Sequence, residues 1–219
     1  MDKIFPDAAS ALGDVPDSIT VMIGGVAGQG VPEHSVVALR DRSLKDLTVI
    51  SSQASTAEGG VGLLLQHGQV KTLIASFIGE SRLLDELVVR GGVKIILVPE
   101  GTLAERIRAG GAGLGGVLTP TGVGTIVAEG KETRTWNGKD YVLELPLRAD
   151  LALVKAWRGD AHGNLVYQGA ARNFNPIMAM AAAMTVAEVD EIVPAGSLDP
   201  DHVHTPGVYV KRLYCGSAP

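Results

Sequence analysis

Cysteine is nearly missing from this chain: Cys215 is the one thiol in 219 residues. A single thiol excludes an internal disulfide framework and suits a reducing compartment. Aromatic residues make up only 4%, too few for the stacking platforms on which single-stranded nucleic acids are held. Positive charge is not in excess either. The 19 Lys and Arg against 24 Asp and Glu give a net charge of −5, which leaves no electrostatic footprint for nucleic acid. Long apolar runs are absent too: the longest, residues 177–184, falls far short of the ~20 residues of a membrane span. Met1-Asp2-Lys3 leads into no apolar signal segment, so the expected location is cytoplasmic.

What is abundant is glycine, 28 of 219 residues against a usual ~7%. The glycines follow no collagen period and cluster between apolar runs, which marks loops where backbone approaches backbone or a ligand. The apolar runs are short and rich in β-branched residues. Strands are predicted at 19–23, 47–51, 72–76 and 93–98, the last the most apolar of all. Helices are predicted at 32–42, 80–90 and 102–109, on apolar spacing such as Leu83, Leu84, Leu87 and Val88. Continuous apolar strands, each followed by a helix, indicate parallel strands covered on both faces. The fold class is α/β.

Beyond residue 109 the pattern changes. Seven glycines fall between Gly110 and Gly124, too many for a helix or a regular strand. Segments 132–136 and 139–145 flank Asn137-Gly138, the strongest short hairpin signal there is. A buried strand at 151–156, a helix at 175–184 with Asn175 as N-cap, and late strands at 185–189 and 207–213 complete the reading. An antiparallel hairpin in a parallel arrangement argues for an open, mixed, mostly parallel sheet flanked by helices. No repeat or linker divides the chain, so residues 1–219 are expected to form one domain, with a hairpin lobe around 110–148.

Three glycine-bearing segments could carry chemistry. Gly24-Gly25-Val26-Ala27-Gly28-Gln29-Gly30 lies between a strand and a helix start, where backbone amides suit an anion. Its spacing is neither the dinucleotide fingerprint nor a phosphate loop of the NTPase kind, and a tight strand-to-helix turn explains it equally well. In Gly101-Thr102-Leu103-Ala104-Glu105-Arg106, Thr102 and Glu105 have capping-box spacing. That leaves Glu100 at a strand end, where open α/β sheets build their sites. The run from Gly110 to Gly124 suggests close packing or a ligand channel. His202 and His204 lack a third ligand nearby and read as loop histidines, so no metal is expected. Cys215 reads as an incidental thiol. No nucleophile motif or carboxylate pair stands out.

In order along the chain, several of these segments resemble the A (alpha) subunit of class I 3-oxoacid CoA-transferases. The resemblance is carried by Asp17-Ser18-Ile19-Thr20-Val21-Met22-Ile23-Gly24-Gly25 with Gly30-Val31-Pro32, and by the segment from Gly101 to Gly113. It continues through Thr119-Pro120-Thr121-Gly122, Ala171-Arg172-Asn173-Phe174-Asn175-Pro176 and the segment from Asp199 to Gly207. Gly113-Leu114-Gly115-Gly116-Val117-Leu118-Thr119-Pro120 looks most like the acetate or butyrate–acetoacetate branch.

The resemblance implies an open α/β fold shared with ribose-phosphate isomerases. It also implies a ping-pong transfer of CoA from a short acyl-CoA or 3-oxoacyl-CoA to a carboxylate. The glutamate that attacks the thioester belongs in that family to the B subunit of the CoA-transferase. A hetero-oligomer such as α2β2 is therefore implied, with the site between subunits. No cofactor is implied, coenzyme A being a substrate. Gly24, Gly25, Val26, Ala27, Gly28, Gln29 and Gly30 are implied to contact CoA. Glu100 takes the oxyanion-hole position.

The sequence departs from the family pattern in three places. Val26 replaces a usual Phe, Ser52-Gln53-Ala54-Ser55 stands where the ketone-body branch has Asn-Asn-Ala-Gly, and Glu100 replaces a usual Gln. These leave open a CoA-thioester hydrolase or ring-cleaving enzyme on the same fold, and a non-catalytic CoA-binding subunit.

Overall fold

Strands whose successive residues are all apolar need cover on both faces, and the chain supplies it by alternating strand and helix. The computed structural model describes residues 3–54, 59–79 and 82–216. From the N-terminus the elements are α1 (Ala8–Leu12), β1 (Thr20–Ile23), α2 (Glu33–Asp41), β2 (Leu47–Ile50), α3 (Gly60–Gln66), β3 (Val70–Ala75), α4 (Arg82–Val89), β4 (Lys94–Leu97) and α5 (Glu100–Ala112). Then follow β5 (Val117–Thr119), β6 (Thr133–Trp136), β7 (Lys139–Glu144), β8 (Ala149–Asp160), β9 (Leu165–Val166), α6 (Asn175–Met180), β10 (Ala182–Val193) and β11 (Arg212–Cys215).

The main sheet has the order β11-β10-β8-β1-β2-β3-β4 with every neighbouring pair parallel. Among the described strands only β9, paired to β8, runs antiparallel in it. Residues alternate between two apolar layers as the strand period requires. Val21, Ile23, Leu151 and Leu153 pack with Leu12, Val36, Leu39 and Leu64 on one face. Met22, Ala152 and Val154 pack with Leu103, Ile107, Phe174 and Met178 on the other. From β1 the chain winds outward to β2, β3 and β4, whereas β8 flanks β1 on its other side. The crevice between such opposed directions, at the carboxyl ends of the strands, is where open α/β sheets bind ligands.

The Asn137-Gly138 hairpin forms as its sequence predicts, with both turn residues at positive φ (51° and 73°). It does not join the main sheet. It pairs with β5 in a separate three-stranded antiparallel sheet, order β5-β7-β6. Glu144, almost fully buried, ties that sheet to the body, with Lys131 Nζ at 2.5 Å and Arg106 of α5 at 3.5 Å.

Several predicted bounds shift for identifiable reasons. Helix α5 starts at Glu100 behind Pro99 and runs to Ala112, so the Thr102–Glu105 capping box does not form. Glu105 instead pairs with Arg108 at 3.2 Å, and the buried Thr102 hydroxyl has no hydrogen-bond partner. The helix continues through Gly110 and Gly111 because packing there requires glycine: a Cβ at position 110 would lie 1.9 Å from the Leu147 carbonyl oxygen. Helix α6 stops at Met180, and residues from Ala182 extend β10. The predicted strand at 207–213 is a turn up to Val210, with β11 following it. Helix α3 was hidden in the sequence by Gly59, Gly60 and Gly62. The very apolar segment 93–98 yields an edge strand, with Leu97 54% exposed. The predicted helix start at Glu80, and Ser55 of the 52–55 stretch, lie outside the described residues.

Candidate functional site

The segment after β1 leaves the sheet at the switch point and reverses at once. Val26 and Gln29 exchange backbone hydrogen bonds (3.1 and 2.9 Å) around Ala27 and Gly28, both at positive φ (49° and 77°). This is the geometry of a two-residue hairpin turn. The amides of Val26 and Gln29 therefore bond within the loop itself.

Asn175 holds the loop from behind. It is predicted as an N-cap, but Phe174 takes that position and the fully buried Asn175 side chain turns inward. Its Oδ1 accepts the Lys155 N–H of β8 at 3.0 Å. Its Nδ2 donates to the carbonyls of Gly30 (3.0 Å) and Ala171 (2.8 Å). Gly24 is glycine for this reason: a Cβ there would sit 1.9 Å from Asn175 Oδ1. Asn173 adds a bond from its Nδ2 to the Gln29 carbonyl at 2.9 Å.

The far end of the loop enters α2, whose N-cap position, Pro32, offers no side-chain acceptor. Glu188 of β10 supplies one across the fold. Its nearly fully buried carboxylate accepts the Ser35 N–H (3.2 Å) and the Tyr214 hydroxyl (2.7 Å). It also faces His34 Nδ1 at 3.0 Å and Lys155 Nζ at 3.2 Å. Burial pushes the Tyr214 hydroxyl far above its ordinary pKa, and the Glu188 charge pushes it further. Burial pulls the Lys155 ammonium down, but hydrogen bonds to Asp190 and Glu188 outweigh it, and the net shift is upward. Sequence reading missed this cluster. The signal was there in one place: Glu188 sits between Val186, Ala187 and Val189, in the most apolar stretch of β10.

A cleft of about 520 Å³ opens beside the loop. Val26, Ala27 and Gln29 form one wall, and Ala170, Asn173, Phe174 and Ile177 form another. The third wall is α5, through Glu100, Ala104 and Arg108, which share a helix face at i, i+4 and i+8. The structure thus brings the two sequence candidates, the glycine loop and Glu100, to one cavity. Glu100 is exposed, stands in the first turn of α5 where a carboxylate suits the helix dipole, and accepts the Ser52 hydroxyl at 3.3 Å. Gly24, Gly25, Gly28 and Gly30 shape the loop and are not among the residues lining the cleft.

The third glycine segment is not at this site. Gly110 and Gly111 belong to α5, and Gly113 ends it in the left-handed conformation at φ 73°. His202 Nδ1 bonds Asp199 at 2.6 Å, and His204 Nδ1 accepts the Tyr167 N–H at 2.9 Å. Among the described residues no group of three or more His, Cys, Asp or Glu side chains could hold a metal ion. The Cys215 thiol lies 3.3 Å from the Asp190 carbonyl. None of the described helices is long and apolar enough to cross a membrane.

A doubly wound parallel sheet with a cleft at its switch point, walled by a glycine turn and a helix N-terminus, defines an α/β ligand-binding domain of enzyme type. Comparison with known proteins makes this specific. The family model "Coenzyme A transferase" matches residues 5–216. The chain is 46% identical over 216 residues to the A subunit of succinyl-CoA:3-ketoacid coenzyme A transferase of Helicobacter pylori strain J99, covering 99% of this chain and 93% of that one. It is 49% identical over 203 residues to the alpha subunit of acetate CoA-transferase of Escherichia coli strain K12, covering 93% and 92%. In fold it is similar to glutaconate coenzyme A-transferase of Acidaminococcus fermentans, with a TM-score of 0.85 at 16% identity over 97% of this chain and 75% of that one. This chain belongs to the coenzyme A transferase family.

Proposed function

We propose that the chain is the A subunit of a heteromeric CoA-transferase. It acts with a B subunit to move CoA between a short-chain acyl-CoA or 3-oxoacyl-CoA and a carboxylate. The observation that carries this reading is the convergence of the loop 24–30 and Glu100 on one cleft, in a chain whose family match runs from residue 5 to 216. The relatives are themselves named as A or alpha subunits, which supports a second subunit.

The reaction proceeds in two halves. In the first, a glutamate carboxylate from the B subunit is the nucleophile. It attacks the thioester carbonyl, forming an acyl anhydride and releasing CoA thiolate. The thiolate attacks the anhydride at the glutamyl carbonyl, giving a glutamyl-CoA thioester and freeing the first acid. The acceptor carboxylate then reverses these steps. CoA is a substrate here and no cofactor is required.

This chain's part is to hold the ester against the loop and keep water from the thioester. Each attack places negative charge on a carbonyl oxygen, which needs donors. Backbone amides of this chain and groups of the partner can supply such donors. The Ser52 hydroxyl bond turns one Glu100 oxygen towards β2. The functional unit is a cytoplasmic hetero-oligomer of α2β2 type.

The test is to co-express the chain with its B subunit, then to assay CoA transfer with and without a carboxylate acceptor. Transfer that requires both subunits and the acceptor is the expected result. Ester hydrolysis without acceptor means a hydrolase on this fold. Binding without either reaction means a non-catalytic subunit.

A further inference from the structure

Glu188 is a buried carboxylate that the transfer reaction leaves without a task. A carboxylate out of water is costly unless charge and hydrogen bonds compensate it. A Ser or Asp at position 32 would cap α2 locally, yet Pro32 stands there. The neighbours of Glu188 show what the remote carboxylate adds. Pairing in the main sheet sets Lys155 of β8 beside Glu188 of β10, and Glu188 beside Tyr214 of β11. Paired residues of parallel strands share a face, so the three side chains form one polar row. The row closes the apolar layer of Leu151, Leu153 and Val186. Ile23, the last residue of β1, lies opposite Leu153. Lys155 therefore stands two residues further along β8, level with the start of the loop 24–30.

Lys155 takes part in both holds on that loop. Its backbone N–H donates to Asn175 Oδ1 at 3.0 Å, and Asn175 Nδ2 donates to the Gly30 carbonyl at 3.0 Å. Its ammonium donates to Glu188 Oε1 at 3.2 Å, while Glu188 Oε2 accepts the Ser35 N–H, also at 3.2 Å. The first path ends on the last residue of the loop, the second on the first turn of α2. Burial works against the ammonium's charge, and the bonds to Asp190 and Glu188 outweigh it. Tyr214 and His34 also meet Glu188, but they belong to β11 and α2, not to the strand that holds Asn175.

We propose that Lys155 is a positioning residue for CoA transfer: through its amide and its ammonium it locks the end of the glycine loop and the start of α2 into one rigid unit. This rests on the reading of the cleft beside that loop as the CoA-ester site. Reacting groups need placement to within a fraction of an ångström. A loop whose two holds shift independently loses that placement even where the fold survives.

The experiment uses the complex assembled with the B subunit, and measures kcat, KM for the acyl-CoA and thermal unfolding side by side. Lys155→Met keeps the backbone N–H and an apolar stem but removes the ammonium. It is expected to lower kcat by at least about tenfold, with KM changed by less than about threefold. It should also melt early, because Glu188 is left as an unpaired buried charge. Lys155→Met combined with Glu188→Gln removes both charges. That double variant should recover most of the lost melting temperature, since no buried charge is left to desolvate, and yet stay at least about tenfold low in kcat. The proposal is overturned if Lys155→Met keeps its kcat, if the change is confined to KM, or if kcat returns together with stability in the double variant. Val26→Trp, which fills the cleft, tests the underlying reading separately and should lower kcat/KM by at least about tenfold. An unchanged value there, with the complex still assembled, overturns the reading of the cleft and the proposal with it. A loss there beside an unaffected Lys155→Met overturns the proposal alone.

Discussion

Two glycine-rich segments of this protein look alike in sequence and serve opposite ends. In the loop 24–30 the glycines let backbone wrap a buried amide, Asn175, while the Ala27-Gly28 turn faces outward and its neighbours line a cleft. In the segment that begins at Gly110 the glycines bring α5 against the Leu147 carbonyl and Met180, so backbone and side chain fill the space a ligand would need. Glycine content reports only that something comes close to the backbone. Whether that something is a substrate or another strand depends on which atom a Cβ would have met.

The contrast is starkest at Gly110. A methyl group there meets a backbone oxygen that cannot swing away, so Gly110→Ala should destabilise the protein by about 4 kcal/mol or more despite the better helix propensity of Ala. Thermal unfolding of the assembled protein should come roughly 10 °C earlier, with KM for the CoA ester unchanged in the fraction that folds. A raised KM with intact stability would place this segment at the site instead.

Asn175→Ala probes the other segment and should do both things at once. It strands the Lys155 N–H and two carbonyls, a cost of about 2–3 kcal/mol. It also frees the loop, so kcat/KM for the acyl-CoA should fall by roughly ten- to a hundredfold. A variant that loses stability but keeps its kinetics would reduce Asn175 to a packing role.

The smallest effect is on pH dependence. His204 accepts the Tyr167 N–H on Nδ1, which only a neutral ring can do. Burial, aided by the nearby charges of Arg172 and His202, holds its pKa below the ordinary 6.5. The unfolded chain therefore takes up the proton first as pH falls. The stabilisation is complete above pH 6.5 and is lost as pH drops from there through the lowered value. Because Tyr167 leads into the 169–175 segment that clamps the loop, amide exchange should rise there before it rises around Gly110. Equal rises in both segments would deny His204 this local role.

Much of the fold was legible because it rests on local pattern. Apolar runs such as 19–23 and 47–51, with helices between them, specify parallel strands covered on both faces, and Asn137-Gly138 specifies its turn through two residues that accept positive φ. The ordered likeness to CoA-transferases was legible for the same reason, since it needs only residues and their spacing. Helix ends were less so. Thr102 and Glu105 have the spacing of a cap, yet the helix starts earlier, behind Pro99. Asn175 has the chemistry of a cap, yet its buried amide finds better partners across the fold.

Residue order alone was enough for the kind of fold, for the family likeness, and for singling out the loop 24–30 and Glu100. Three things needed the folded chain. It brings the loop and Glu100 to one cleft. It turns the glycines at 110 and 111 into packing against Leu147 and Met180 instead of a channel. It caps α2 with Glu188, from a strand 153 residues further along the chain than Ser35. The reason is physical. Propensity and period act over a few residues, whereas the partner of a buried amide or carboxylate is whichever group the completed fold delivers to it.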